Sequence, residues 1–200
     1  MNALRLALLT TLVPLPVLGQ NAGDPEPIGV LPRDAQIAFA VQAAPTDMRE
    51  GATVQGYTEN GEFTTLREGG NEMVCMAPNP ESPTFEVSCH HSDLEPFFER
   101  GRELRAEGVV GNERTEARFE EITAGTLPMP YGATNYILRG EGFDTATATI
   151  ERPYLRWVIY TPFATPESTG LSTQAQTSAP WLMFPGTAGS HIMISPPQGG

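Results

Sequence analysis

Apolar residues first recur at helical spacing between residues 35 and 44. One face of a helix over this range would carry Ile37, Ala40, Val41 and Ala44. Asp34 stands where a helix cap is expected, and Pro45 would end the segment. The alternation of Ile37 with Phe39 also fits a strand, but five alanines between 35 and 44 favour the helix because alanine has the highest helix propensity.

The next stretch, residues 52–89, alternates with the period of two that is typical of strands. The alternation predicts four strands, over residues 53–57, 63–66, 73–76 and 85–89. Turns rich in glycine and asparagine separate the first three. The proline-rich segment 78–83 must end the third, because proline has no N–H to donate to a strand ladder.

Two helices are predicted after these strands. Ser92 and Glu95 have the spacing of a capping box, and Gly108 is a typical helix stop. Gly101 lies within the apolar face of this helix and would allow close packing. A second helix is predicted over 113–124.

Short strands and a long loop follow in the rest of the chain. The predicted strands cover residues 133–138, 145–150, 154–160, 181–184 and 191–194, and the polar stretch 163–179 is predicted to be an exposed loop. Strand runs interrupted by helices predict an α+β fold: a single domain over 33–195, with a mainly antiparallel sheet and two or three flanking helices.

The two ends of the chain differ in pattern from the predicted domain. Residues 1–19 have one arginine, a short apolar run and a small-residue site, which is typical of a secretory signal peptide. Residues 20–32 read as a flexible linker and 196–200 as a disordered tail. We therefore expect an exported protein, periplasmic or extracellular, with no membrane span.

The charge pattern changes the range of expected partners. The chain has 24 acidic and 12 basic residues, every basic one an arginine, which gives a formal net charge of −12. Such a surface repels phosphate backbones and anionic lipid, so nucleic acid is not an expected partner. An unknown small molecule or a protein remains as the predicted partner.

Cys75 and Cys89 are the two cysteines of the chain. An even count in an exported protein favours a disulfide, which would join two neighbouring predicted strands. Two free thiols are the alternative.

The three histidines make a divalent metal the one cofactor to consider. Imidazole is a common ligand of zinc and similar ions. One of the adjacent pair His90 and His91 could share an ion with His191, assisted by a carboxylate such as Asp93 or Glu95. Adjacent residues on an extended chain point to opposite faces, so only one of the pair would face a shared site. The alternative is that both are polar residues before a helix.

Aromatic residues and arginines concentrate in the C-terminal half and predict a ligand cleft. The candidate residues are Tyr136, Trp157, Tyr160, Trp181, Arg139 and Arg156. Aromatic rings can line an apolar cleft, and arginine beside them can bind an anion. The alternative is that the rings fill the core. There is no GxSxG elbow, no phosphate-loop pattern and no cofactor fingerprint in the sequence.

Several segments together resemble a family of uncharacterised exported bacterial proteins. They are RDAQIAFAVQAAP at 33–45, GATV at 51–54 with MVC at 73–75, FEEITAGTLPMPYGATNYIL at 119–138 and WLMF at 181–184. In that family a histidine tends to precede the Leu-Met pair of the last segment, and Pro180-Trp181 stand there in this chain. The resemblance implies export and a single domain, and it implies no activity.

Two functional hypotheses follow from the sequence. The preferred one is a non-catalytic binding or accessory module, because no catalytic motif is found. The other is a metal-binding protein or metal-dependent hydrolase that uses His90 or His91 with His191.

Overall fold

The computed structural model describes residues 25–196. The predicted signal peptide, the first five residues of the predicted linker and positions 197–200 of the predicted tail lie outside the described residues.

Four α-helices lie within the described range. They are α1 (Arg33–Ala40), α2 (Glu95–Ala106), α3 (Gly111–Thr123) and the short α4 (Pro166–Thr169). A turn of 3-10 helix extends α1 through Val41–Ala43, so the choice of helix over strand in this segment is confirmed. A second 3-10 turn, Ser92–Leu94, leads directly into α2. The segment 163–179 has only α4 as regular helix.

Ten strands follow in chain order. They are β1 (Thr53–Tyr57), β2 (Phe63–Arg67), β3 (Met73–Met76), β4 (Phe85–His91), β5 (Thr134–Gly140), β6 (Gly142–Asp144), β7 (Thr149–Glu151), β8 (Tyr154–Tyr160), β9 (Trp181–Met183) and β10 (His191–Ile194). Eight form one sheet in the order β2-β1-β3-β4-β5-β8-β10-β9. The β1–β3 pair is parallel and the other pairs are antiparallel. The predicted α+β fold with a mainly antiparallel sheet is confirmed.

The disulfide is also confirmed. Cys75 of β3 and Cys89 of β4 stand directly opposite each other in the antiparallel register, and their sulfur atoms are bonded at 2.06 Å. Both are fully buried. The bridge therefore ties two central strands together inside the core.

The predicted strand over 145–150 is wrong. The carboxylate of Asp144 accepts hydrogen bonds from the amide of Ala146 and the hydroxyl of Thr147, both at 2.9 Å. These bonds fold the chain into a turn, and Ala148 completes it with a φ of 52°. β6 and β7 thus form a hairpin of their own, which packs Phe143 and Ile150 against the core.

The capping box predicted for α2 is wrong as well. β4 continues through His91, whose Nδ1 accepts the amide hydrogen of Asp93 at 3.2 Å and so caps the 3-10 turn. The Ser92 hydroxyl donates instead to Glu72 at 2.9 Å. Glu95 is then free of the cap and turns into the protein, where it becomes part of the site below.

The large sheet has two faces with different coverings. Residues directly opposite each other on neighbouring strands point to the same side, so the register assigns every side chain to a face. We call the side covered by α1 the α1 face and the other side the α2–α3 face. The α1 face carries the disulfide together with Phe39, Val54, Phe85, Val87 and Leu138. The α2–α3 face buries a separate cluster around Leu94, Phe97, Val158, Tyr160 and Met193.

Part of the predicted linker lies against the domain. The amides of Ile28 and Gly29 each donate to the 78–83 segment at 2.9 Å. The carbonyl of Leu31 accepts a hydrogen bond from the buried amide of Gln36 at 2.8 Å. Residues 28–31 are therefore held to the α1 side of the sheet. Within residues 25–196 no helix has the length and apolar character that crossing a membrane requires.

Candidate ligand-binding cleft

A cavity of about 680 Å³ lies between the α2–α3 face of the sheet and the two helices that cover it. Its apolar walls come mainly from six aromatic side chains: Tyr57, Phe97, Phe98, Phe119, Tyr160 and Phe184. The rings of Phe97 and Tyr160 meet edge to face at 5.7 Å, as do those of Phe119 and Phe184 at 5.4 Å. The volume is in the range of pockets that bind small organic molecules.

The charged lining of this cleft is almost entirely positive. It contains five arginines: Arg102, Arg105, Arg114, Arg118 and Arg139. Among residues 25–196, Glu86 is the one acidic residue in the lining. In a chain with a net charge of −12, nearly half of the arginines therefore converge on one cavity. The cleft is a local region of positive potential on an otherwise acidic protein.

Three of the five arginines are paired with carboxylates. Arg102 donates to Glu95, Arg105 lies 3.2 Å from Glu81, and Arg139 donates to Glu86. Arg102 also packs its guanidinium 4.5 Å from the centre of the Phe63 ring. These pairs hold one side of the cleft in a defined geometry.

Arg114 and Arg118, both on α3, have no carboxylate within ion-pair distance among residues 25–196. The guanidinium of Arg118 stacks on the Phe97 ring at 4.0 Å and makes long hydrogen bonds to the carbonyls of Arg114 and Phe97, at 3.3 and 3.4 Å. Burial lowers the pKa of Arg118 to about 10. It remains protonated at neutral pH. The nearby carboxylate of Glu121 favours this charge but is ion-paired with Arg100, so Arg118 is a partly desolvated cation in the cleft with no carboxylate in contact with it among the described residues.

Gly101 of α2 makes room for this charge. A Cβ atom at this position would lie 3.0 Å from Nη1 of Arg118. The close approach predicted for Gly101 is therefore present, and the group that approaches it is the guanidinium of Arg118.

Buried polar atoms without partners cluster at the same place. Within the described residues they include Nη1 of Arg102, Nε of Arg114 and Oδ1 of Asn135, all from residues that line the cleft. Oε1 of Gln55 and Nδ1 of His90 lie next to it in the network around Glu95. Buried polar groups normally have partners, because an unpaired one costs about 1–3 kcal/mol. Such a concentration of unpaired donors and acceptors is typical of a binding site, where a polar ligand would supply the missing hydrogen-bond partners.

His90 and Glu95 form a buried pair at one edge of the cleft. His90 is fully buried, stacks on Phe98 at 4.2 Å and bonds through Nε2 to Glu95 at 2.8 Å. Burial lowers the pKa of His90, so the ring is neutral. Burial acts to raise the pKa of Glu95, but hydrogen bonds from His90, Gln55 and Arg102 outweigh it and hold that pKa at about 2. Because an ionised carboxylate only accepts, we assign the proton of His90 to Nε2.

His191 lines the opposite end of the cleft. Its Nδ1 lies 2.8 Å from the carbonyl of Gly189, and its ring contacts those of Tyr160 and Phe184. Burial lowers the pKa of His191. The neighbouring Ser190 is fully buried and donates its hydroxyl to the carbonyl of Ala164 at 3.1 Å, away from the imidazole. Ser190 and His191 therefore lack the hydrogen bond that joins a nucleophilic serine to its histidine base.

The structure places His191 far from the adjacent pair His90 and His91. His90 is aligned across the sheet with Asn135, Val158 and Met193, so three strand spacings of ~4.8 Å separate it from β10, about 14 Å in all. His91 points to the α1 face, on the other side of the sheet from His191. No group of three or more histidine, cysteine or acidic side chains suited to an ion occurs in the described part of the chain.

The six residues predicted to line a ligand cleft are divided between the two faces. Tyr136 and Trp157 are register partners on the α1 face. The other four are on the α2–α3 face, and of these Tyr160 and Arg139 line the cavity. The separation follows from the alternation of side chains along β5 and β8, which sends neighbouring residues to opposite sides.

The arginines of the two helices were missed by the sequence reasoning. Arg102 and Arg105 are three apart on α2, and Arg114 and Arg118 are four apart on α3. These spacings put each pair on one helix face, and that signal was present in the sequence. Glutamates are interspersed with these arginines, so the same pattern is also typical of a solvated helix face.

Comparisons with known proteins add no relative to this description. No protein-family model matches the chain, and no curated protein or solved structure matches it significantly. The functional argument therefore rests on the geometry of the cleft.

Proposed function

We propose that this chain is a non-catalytic binding protein whose ligand is a small molecule held in the cleft between the sheet and α2–α3. The observation that carries the proposal is the combination of a 680 Å³ cavity, aromatic walls and unpaired buried polar atoms at one place. Well-formed cavities with a few convergent polar groups are the usual form of small-molecule sites.

We further propose that the protein works after export, in the periplasm or outside the cell. The support is the disulfide, which persists in oxidising compartments, together with the signal-like sequence of residues 1–19. The resemblance to exported bacterial proteins points the same way.

Binding in the cleft can be tested with a neutral apolar dye, N-phenyl-1-naphthylamine, whose fluorescence rises in apolar surroundings. Ser88 of β4 and Ile137 of β5 line the cleft side by side. Ser88→Phe or Ile137→Phe would place a phenyl ring in the middle of the cleft and narrow it, and phenylalanine is a residue common in strands. We expect the full-length protein to bind the dye and either variant to lose most of the signal.

The control is Thr149→Phe, which adds the same ring at an exposed position of β7, in the hairpin that packs against the core of the α1 face. Each variant must first show the cooperative thermal unfolding of the parent protein. If the parent binds no dye, or if both cleft variants bind it as the parent does, the cleft is not the ligand site.

The metal hypothesis remains a weaker proposal. Two histidines on strands that are three spacings apart would need a rearranged sheet to reach one ion, since zinc–nitrogen bonds are about 2 Å. A thermal melt with zinc, copper or nickel tests it directly. A rise in melting temperature that His191→Ala abolishes would favour the metal, because binding to the native state alone stabilises the fold.

A further inference from the structure

We propose that the cleft selects organic anions, meaning small molecules with a carboxylate or another oxyanion on an apolar body. The inference rests on the proposed role of the cleft as the ligand site and adds the chemical class of the ligand.

The first argument is charge. The cleft gathers five arginines and one lining carboxylate, on a protein with twice as many acidic as basic residues. Glu95, Glu81 and Glu86 neutralise three of them and leave Arg114 and Arg118 without an anionic partner in the described chain. A cation held away from water without a counter-ion is costly, and an anionic ligand would remove that cost.

The second argument is the direction of hydrogen bonding. The unpaired atoms on the arginines, Nε of Arg114 and Nη1 of Arg102, are donors, and guanidinium groups pair best with the two oxygens of a carboxylate or phosphate. Arg118 makes only two long bonds, to backbone carbonyls. The one unpaired lining acceptor, Oδ1 of Asn135, would accept a hydroxyl or amine of the same ligand.

The third argument concerns the body of the ligand. A bare inorganic ion would fill a small part of 680 Å³ and would leave the aromatic walls facing water. Rings from the helices and the sheet enclose the arginine end, and Phe184 extends the aromatic wall at the edge of the cleft. Phe184 has a φ of 53°, a backbone conformation that phenylalanine rarely adopts, and its side chain is 39% exposed at the cleft. An apolar body on the anion would contact these rings.

Two dyes with the same aromatic body distinguish the contribution of charge to binding from that of the apolar cavity. One is the neutral N-phenyl-1-naphthylamine, and the other is 8-anilinonaphthalene-1-sulfonate, which is the same molecule with a sulfonate. One or two charge-assisted hydrogen bonds correspond to about a tenfold gain in affinity or more. We expect the full-length protein to bind the sulfonate at least tenfold more tightly than the neutral dye.

Arg114→Gln and Arg118→Gln locate the source of the preference. Each variant should weaken sulfonate binding about tenfold and neutral-dye binding much less, so that the ratio of the two affinities falls. The matched control is Arg152→Gln, which removes the same charge from an exposed arginine paired with Glu141 outside the cleft. It should leave the binding of both dyes unchanged.

Displacement of the bound sulfonate then distinguishes the anion types. Benzoate and phenyl phosphate are offered against neutral benzamide, at equal ionic strength. Displacement by either anion and not by benzamide supports the inference, and the better competitor identifies the oxyanion.

The outcomes separate the two proposals. Equal affinities for the two dyes, unchanged by Arg114→Gln and Arg118→Gln but lost in Ser88→Phe, would overturn anion selection and leave the cleft as a binding site. Binding that Ser88→Phe and Ile137→Phe both leave intact would overturn both proposals.

Discussion

The two faces of the sheet are built on different principles. The α1 face is closed by apolar side chains that fit each other: Phe39 contacts Phe85 and Phe143 edge to face at 5.0 and 5.8 Å, and the disulfide lies beneath them. The α2–α3 face encloses a cavity with converging arginines and unpaired polar atoms. Close packing stabilises a fold, whereas unpaired buried charge destabilises it. The close packing of the α1 face thus offsets the unfavourable free energy of the unpaired polar groups on the α2–α3 face.

The sharpest way to break this contrast is to truncate one aromatic ring on each face. Phe39→Ala removes a fully buried ring from the α1 face and should lower the free energy of unfolding by about 3–5 kcal/mol. Phe184→Ala removes a ring that is 39% exposed at the cleft and should cost less than about 1 kcal/mol. Urea unfolding at neutral pH measures both. If the two variants lose the same free energy of unfolding, the α1 face is no more important for stability than the α2–α3 face.

The disulfide gives the next largest effect. The bridge spans 14 positions, and closing a loop of that length stabilises a protein by roughly 3 kcal/mol. Cys75→Ala combined with Cys89→Ala should therefore lower the free energy of unfolding by about that amount. A reducing agent should shift the urea midpoint of the parent protein to that of the double variant. If the midpoint does not move, the bridge contributes little to the α1 face.

The pair of His90 and Glu95 predicts a loss of stability in acid. The pKa of Glu95 is about 2 in the folded protein against 4.5 ordinarily, so its contribution of about 3 kcal/mol is present above pH 4.5 and is lost as the pH falls towards 2. The pKa of His90 is also lowered by burial, so the unfolded chain binds a proton below about pH 6.5 that the folded chain does not. Both groups therefore lower the stability of the folded protein as the pH decreases.

Thermal melts from pH 7 to pH 2 measure this dependence. Glu95→Gln should remove most of the pH dependence between 4.5 and 2 and lower the melting temperature at pH 7. Glu113→Gln, at an exposed position on α3, is the control and should follow the parent curve. A parent curve that is flat across this range would contradict the coupling.

Local patterns in the sequence were sufficient for most of the framework. The strand 154–160 and the helix over residues 33–40 follow from side-chain periodicity and alanine content, and both are present. The disulfide follows from two cysteines on neighbouring strands. Competition between local and long-range hydrogen bonds is not visible in the sequence. Glu95 was expected to cap a helix, but its carboxylate bonds His90, Gln55 and Arg102 instead.

The cleft could be predicted only in part for a related reason. Tyr160 and Arg139 were recognised as candidates and both line it. Which of their neighbours join them depends on the faces of β5 and β8, and on a helix pair packed over the sheet. The apolar face of α2 is visible in the sequence, but the sequence does not show which arginines of α2 and α3 reach the cavity, because arginines and glutamates alternate on both helices. An arginine that faces a cavity has the same local pattern as one in solvent.

The smallest expected change in stability comes from Arg118→Met. This variant is also the most specific test of the cleft, because its stability should rise while its anion binding weakens. Arg118→Met replaces a partly buried cation that has no carboxylate in contact with it by an apolar side chain of similar length. Replacing a buried charge in this way is often neutral or stabilising, and we expect a gain of about 1 kcal/mol in urea unfolding. The same variant should lose the preference for the sulfonate over the neutral dye, because it removes a charge that faces the anion. A strongly destabilised variant would show that Arg118 is a structural residue that packs against Phe97 and Gly101. A more stable variant with weaker anion binding would show that Arg118 serves ligand binding at the expense of stability.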